Sequence, residues 1–199
     1  MAKKLIAALG SVDWNQNVAN LCASTSIAKR IEACNFRLAV WSRQLELIES
    51  NNSALAFLRE MQHGGHNVAC TLGLALYKPA AASMRTILEC ALYYSYFRTH
   101  SDELGTLVRD PRFYVTKKDI LSFFVKHTPG YSERQATLGY SARLEEWYSK
   151  TSAIVHGQIP GTWTNGTGVS EIVHDTHTLA LAVTHFEIAC GLVQDTFIC

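Results

Sequence analysis

Proline is scarce in this chain, net charge is nearly absent, and no apolar run is long. The four prolines in 199 residues all stand where a helix should begin or end: Pro79, Pro111, Pro129 and Pro160. Lys and Arg total 18 against 17 Asp and Glu, so a net charge of +1 exerts no global pull on nucleic acid or an anionic membrane. Any polyanion must be held by a local patch. No segment approaches the ~18 uninterrupted apolar residues of a membrane span; the richest are broken by glycine, Lys78 and Pro79. In MAKKLIAALGS only five apolar residues follow the lysine pair, too few for a signal peptide, so the segment reads as a cytoplasmic start or a helix edge. The cysteines at 22, 34, 70, 90, 190 and 199 form no Cys-x-x-Cys pair and read as buried reduced thiols rather than a disulfide framework. Repeats and low-complexity tracts are missing as well.

What is present is apolar substance, 48% of the residues, in a helical rhythm. That share excludes disorder, collagen and a coiled-coil rod, and the length suits one domain. Residues 27–49 carry Ile31, Phe36, Leu38, Val40, Trp41, Leu45 and Ile48 at helical spacing. Asn51, Asn52 and Ser53 interrupt the pattern, with Ser53 expected to cap ALAFLREMQ. Gly64-Gly65 is expected to be a hinge before another helix over 66–77. From Pro79 to Phe97 the chain is apolar all round, with Arg85 and Glu89 its only charges, which places this helix at the centre of a bundle. DELGTLVRD and TKKDILSFFVKH predict two shorter helices, the second capped by Thr116. A long helix is expected from Ser132 to its C-terminal glycine, Gly157. Residues 157–173 hold four glycines, Pro160 and an Asn165-Gly166 turn, and form the longest expected loop. A last helix spans 175–197, and residues 1–26 are expected to pack loosely. Since no pair of alternating strands is found, the predicted fold is an all-α, single-domain bundle of about six to eight helices over residues 1–199.

On the last helix, Leu179, Val183, Phe186, Cys190, Val193 and Phe197 share one face at 100° per residue. Leu181, Ile188 and Leu192 lie nearly opposite, beside His174, His177 and His185. Two apolar faces ask for two packing partners, so a homodimer or a larger complex is expected.

Two constellations suggest chemistry. Arg85 and Glu89, four apart on the most apolar helix, share a face with Leu92 and Tyr96. Charges buried there would cost several kcal/mol unless paired, so the pair is either a packing staple or part of a site. The second is the stretch from Tyr148 through Lys150 and Ser152 to His156 and Gly157. Ser152 and His156 share a face, and an imidazole at a helix C-terminus beside an open loop suits proton transfer. The plain alternative is that His156 caps the last carbonyls.

In these two places, the Arg-x3-Glu of MRTILECALYY and the Ser-x3-His-Gly at 152–157, the chain resembles the HEPN-like helical bundles of prokaryotic toxin–antitoxin and anti-phage proteins. The resemblance covers residues 30–198 as a pattern. It implies metal-independent RNA cleavage by an arginine and a later histidine with four to six residues between them, at a site composite across a dimer. The histidine assists attack of a ribose 2′-hydroxyl on its own phosphate, and the arginine steadies the developing charge. A group titrating near neutrality and a planar guanidinium suit those tasks. On this pattern His156 is the acid/base, Arg85 supplies the guanidinium through space, Glu89 orients it, and Lys150 and Ser152 complete the site.

The chain departs from the pattern at one point: the residue at the right distance from His156 is Lys150, which lacks the bidentate fork of arginine. A literal match, Arg59-x6-His66, straddles Gly64-Gly65. With that spacing altered and a net charge of +1, the sequence favours a partner-dependent or non-catalytic subunit or RNA-binding module. The alternative is a metal-independent endoribonuclease. Neither requires a cofactor or a membrane. A weaker, metal-dependent reading rests on His63-x2-His66, His174-x2-His177 and His185. Trp163 is read as either a base-stacking residue or a packing lid, and Lys29-Arg30 and Lys117-Lys118 as solvated surface.

Overall fold

The structure, a computed structural model, describes residues 2–164 and 166–199. Among them it contains ten α-helices, one short 3-10 turn and no strand. The helices are α1 (Ala2–Gly10), α2 (Trp14–Ala23), α3 (Thr25–Ile48), α4 (Leu55–Gly73), α5 (Tyr77–Phe97), α6 (Ser101–Arg109), α7 (Lys117–His127), α8 (Tyr131–Leu138), α9 (Tyr140–Val155) and α10 (Thr176–Ile198). The all-helical expectation holds, with ten helices among the described residues rather than about six to eight, because residues 2–23 form two further helices and Gly139 divides another. The central helix is α5, packed on α4, α10, α9, α7 and α6. Ile87, Leu88, Ala91, Leu92, Tyr94 and Phe97 along it are sealed from solvent. At the other extreme α1 buries no residue and α2 buries only Asn17.

Local chemistry sets the boundaries. Thr116 and Asp119 form the reciprocal capping box of α7, its Thr116 cap predicted from sequence. Asp175 caps α10 by accepting the Thr178 N–H at 2.6 Å. Before α4 the expected cap is not used: Asn52, rather than Ser53, accepts from the chain, taking the Ala54 N–H at 2.9 Å.

Two expectations about continuity fail for related reasons. Gly64-Gly65 is no hinge; α4 runs through both. A Cβ on Gly64 would stand 2.7 Å from Ile87 Cγ1, and one on Gly65 would overlap Asn35 and stand 2.9 Å from Leu38 Cδ1. The missing side chains let α4 lie against α5 and α3, and that packing offsets the roughly 1 kcal/mol of helix propensity each glycine forfeits. Conversely, the long helix expected from Ser132 is broken at Gly139, whose φ of +60° ends α8 in the left-handed region. The break lets α9 start afresh and bury Tyr140, whose hydroxyl meets Thr196 Oγ1 at 2.7 Å.

The predicted core face of α10 is buried at Leu179, Val183, Phe186, Cys190 and Val193, with Phe197 packed against it. The opposite face divides. Leu192 and His185 are buried on the same chain, while Leu181 and Ile188 remain exposed. By length and composition α10 could cross a membrane, but half of its most apolar stretch is buried inside the bundle. The expected Asn165-Gly166 turn rests on a residue outside the described ones.

Candidate functional site

α5 and α9 lie against each other, the start of α5 beside the end of α9, so that Lys78 Nζ comes within 3.2 Å of where a Cβ on Gly157 would be. Two turns further along α5, Arg85 faces α9. Its Nη1 lies 3.1 Å from Nε2 of His156, its Nη2 donates to the Tyr148 hydroxyl at 2.8 Å, and its Nε donates to Glu89 at 2.9 Å. Tyr148 in turn donates to Glu89 at 2.6 Å. The network closes on itself across the two helices.

Its protonation follows from donor arithmetic. A guanidinium only donates, so in the contact with Arg85 the His156 Nε2 is the acceptor and the ring proton belongs on Nδ1. Of the five guanidinium N–H groups three are committed, leaving one on each terminal nitrogen for a further acceptor. Burial weighs against the Arg85 cation, but Glu89 and Tyr148 outweigh it and raise its proton affinity. Burial first, then the hydrogen bond to Glu89, pushes the Tyr148 phenol up to about 12, so it remains a donor across the physiological range.

The His156 side chain is free for this contact because the backbone closes the helix without it. Gly157, at φ +69°, donates to Ile154 O at 3.2 Å, and Gln158 donates to Ala153 O at 2.9 Å. His156 therefore is not the carbonyl cap that the plain alternative required.

The Arg85–Glu89 pair is also less buried than its apolar helix suggested, at 25% and 36% side-chain exposure. A cleft of about 270 Å³ opens beside it, bounded by Tyr93, Tyr114, Thr116, Lys117 and Tyr148.

The structure thus brings Arg85, Glu89 and His156 together, with Ser152 half-buried on the same stripe of α9, its carbonyl accepting the His156 N–H at 2.9 Å. Lys150 is not among them. Two positions beyond Tyr148, it points to another side of α9, into a hollow shared with Arg143, Trp147 and His185. The cations near the cluster are instead Lys78 and Lys117, the latter paired with Glu145 and 4.3 Å from the Tyr148 ring centroid. Lys117 is therefore no freely solvated charge; neither is Arg30, which grips Glu187 at 2.6 Å.

Sequence reasoning named no role for Tyr148, Lys78 or Lys117. The signal for Tyr148 was available: 148, 152 and 156 recur every four residues along one helical stripe.

The remaining candidates fall elsewhere. Because α4 is continuous, Arg59 and His66 sit two turns apart on it; Arg59 pairs with Glu46 at 3.1 Å. The His63 and His66 rings are 6.5 Å apart, and among the described residues no three His, Cys, Asp or Glu side chains gather for a metal. Trp163 is the packing lid, buried edge-on against His185 at 5.4 Å. All six cysteines are free, three of them buried. No family model, curated protein sequence or solved structure matches this chain.

Proposed function

We propose that the Arg85–His156 cluster cuts RNA without a metal, in a HEPN-like cytoplasmic protein of a prokaryotic defence or toxin–antitoxin system. The observation that carries this reading is the 3.1 Å approach of a guanidinium to an imidazole at an exposed helix end. As Arg85 Nη1 turns from the imidazole to the phosphate, the freed lone pair of His156 Nε2 takes the proton of a ribose 2′-hydroxyl while that oxygen attacks the adjacent phosphorus. The two uncommitted Arg85 N–H groups stabilise the charge growing on the phosphoryl oxygens. The bond from phosphorus to the 5′-oxygen breaks, that oxygen takes a proton from solvent water, and a cyclic 2′,3′-phosphate remains. Glu89 and Tyr148 are positioning residues that hold the guanidinium plane. A second copy of the chain, the homodimer the family resemblance implies, completes the groove for RNA.

The test is incubation of the full chain with single-stranded RNA in excess chelator, with the product ends identified. Cyclic phosphate ends are expected, with a loss of about 10²–10⁴-fold in His156→Ala. If the wild type leaves RNA intact, or if His156→Ala cleaves equally well, the catalytic reading falls.

One observation favours a second reading, a partner-dependent or non-catalytic RNA-binding subunit. Glu89 already neutralises Arg85, and the network of Glu89, Tyr148 and His156 ties α5 to α9 as a staple would. On that reading RNA is bound and not cut, and His156→Ala alters stability alone.

A further inference from the structure

Three tyrosines line the cleft beside Arg85, and two of their rings are already engaged. The Tyr148 ring centroid has Arg85 Cζ at 4.9 Å and Lys117 Nζ at 4.3 Å. Tyr93 packs edge-on against Phe57 at 5.4 Å and Phe97 at 5.6 Å. The third, Tyr114, makes no hydrogen bond, ring contact or cation contact through its side chain among the described residues.

Its exposure sets it apart. Among the described residues only two Phe, Trp or Tyr side chains stand open to solvent, Tyr114 at 72% and Phe36 at 68%. Phe36 lies on α3 and takes no part in the cleft. A single exposed aromatic is ordinary on a protein surface. One held outward at the rim of the candidate site is not.

The connection between α6 and α7 does the holding. Phe113 donates its N–H to Asp110 O at 3.0 Å and packs its ring against the core. Val115 is buried, and Thr116 is fixed by the capping box of α7. Both neighbours of Tyr114 are thus anchored inward, and the ring between them is left facing solvent. The fold forgoes the free energy that burying this ring would bring.

We propose that Tyr114 stacks on the nucleobase next to the phosphate held by Arg85, which makes a single strand of RNA, rather than a duplex, the substrate. This rests on reading the Arg85 cluster as an RNA site. Arg85 and Tyr114 line one cleft of about 270 Å³, so a single nucleotide meets both: its phosphate at the uncommitted guanidinium N–H groups, its base at the ring. Every base has a π-face, so the contact accepts any sequence. Bases inside a duplex are already stacked on one another and offer no open face. Because the Tyr114 hydroxyl has no partner, the ring rather than the O–H carries the contact.

The probe is a short fluorescein-labelled single-stranded RNA with 2′-O-methyl groups, which block the attacking oxygen and so separate binding from cleavage. Its affinity for the full chain is read by anisotropy, beside that of the same sequence as a duplex. Tyr114→Ala is expected to weaken single-strand binding by about fivefold to a hundredfold, the worth of one base stacked on an aromatic side chain. The salt slope should stay as it is, because no phosphate contact is lost. Tyr114→Phe and Tyr114→Trp should bind as wild type does, and so should Phe36→Ala, which removes the other exposed ring. None of these substitutions should move the melting temperature, and the duplex should bind more weakly and without regard to Tyr114. Four outcomes overturn the proposal: no binding of the single strand, equal binding by Tyr114→Ala, a loss in Tyr114→Phe as large as in Tyr114→Ala, or an equal loss in Phe36→Ala. Cleavage is scored separately on unmodified RNA. Tyr114-dependent binding without cleavage overturns the catalytic reading and leaves the stacking contact standing, whereas cleavage with Tyr114-independent binding overturns the stacking contact alone.

Discussion

The Arg85 guanidinium touches the His156 imidazole at 3.1 Å across a sequence separation of 71 residues. Every other feature of the candidate site is arranged around that contact: Glu89 and Tyr148 hold the guanidinium, and Gly157 closes α9 so that the imidazole is not spent on helix carbonyls.

Tyr148→Phe removes the one hydroxyl that both donates to Glu89 and accepts from Arg85. In the partly exposed setting the expected cost is about 1 kcal/mol, read from urea denaturation. If the cluster is catalytic, kcat should fall by about tenfold with KM little changed, because Tyr148 positions Arg85 without touching RNA. An unaltered kcat would remove Tyr148 from the positioning role.

The Arg85–Glu89 pair is neither sealed nor free, at 25% and 36% side-chain exposure. Arg85→Met and Glu89→Leu should therefore each cost about 1 kcal/mol, below the roughly 3–5 kcal/mol of breaking a buried pair. The double variant should cost no more than either single change, about 1 kcal/mol, so a thermodynamic cycle would give a coupling of about 1 kcal/mol. A coupling near zero would mean the pair is not an energetic unit.

Lys78 and Lys150 separate two views of where a phosphate chain would run. Lys78 stands at the Gly157 end of α9, and Lys150 faces another hollow. Lys78→Ala should weaken RNA binding and make the log–log salt slope shallower by about one phosphate contact, while Lys150→Ala leaves both unchanged. The reverse result would move the RNA track to the Trp147 side.

Glycine substitutions test the close approach of α4. Gly64→Ala and Gly65→Ala should each destabilise by about 1–3 kcal/mol despite alanine's better helix propensity, because the added methyl meets Ile87, or Asn35 and Leu38. Gly191→Ala in α10, whose nearest new neighbour is Arg143 at 3.7 Å, should stabilise by about 0.5–1 kcal/mol. Thermal melts of the three variants decide between these signs.

His185 supplies a pH dependence. Burial first, with Lys150 adding to it, holds its pKa down to about 4 from the ordinary 6.5. Between those values the unfolded chain binds more protons than the folded one, so stability rises with pH. The contribution is complete above about 6.5 and is withdrawn as pH falls toward 4, a loss of about 3 kcal/mol at full extent. Urea midpoints at pH 7 and pH 5 should show the decline, and His185→Gln should flatten it. An equally steep decline in the variant would assign the effect elsewhere.

Much of the fold was readable from local chemistry. The α5 segment announced itself through an apolar run led by Pro79, α7 through Thr116, and the end of α9 through Gly157. The errors came from glycine, whose role depends on what faces it. Gly64 and Gly65 look like breakers until Ile87 and Leu38 are known to press on them, and Gly139 looks tolerable until Tyr140 needs its own burial site. For the site, Arg85, Glu89 and His156 were legible as residue types, but Lys150 was chosen on sequence spacing, and spacing along a helix sets direction as well as distance.

The sequence by itself determined that the chain is helical, where most helices start and stop, and that α5 occupies the centre, because caps, proline and apolar periodicity act within a few residues. Only the tertiary structure decided that Arg85 meets His156 and that Tyr148 joins them. Those relationships depend on how α5 packs on α9. Such packing is chosen by the summed burial of many side chains, and no local pattern records the outcome.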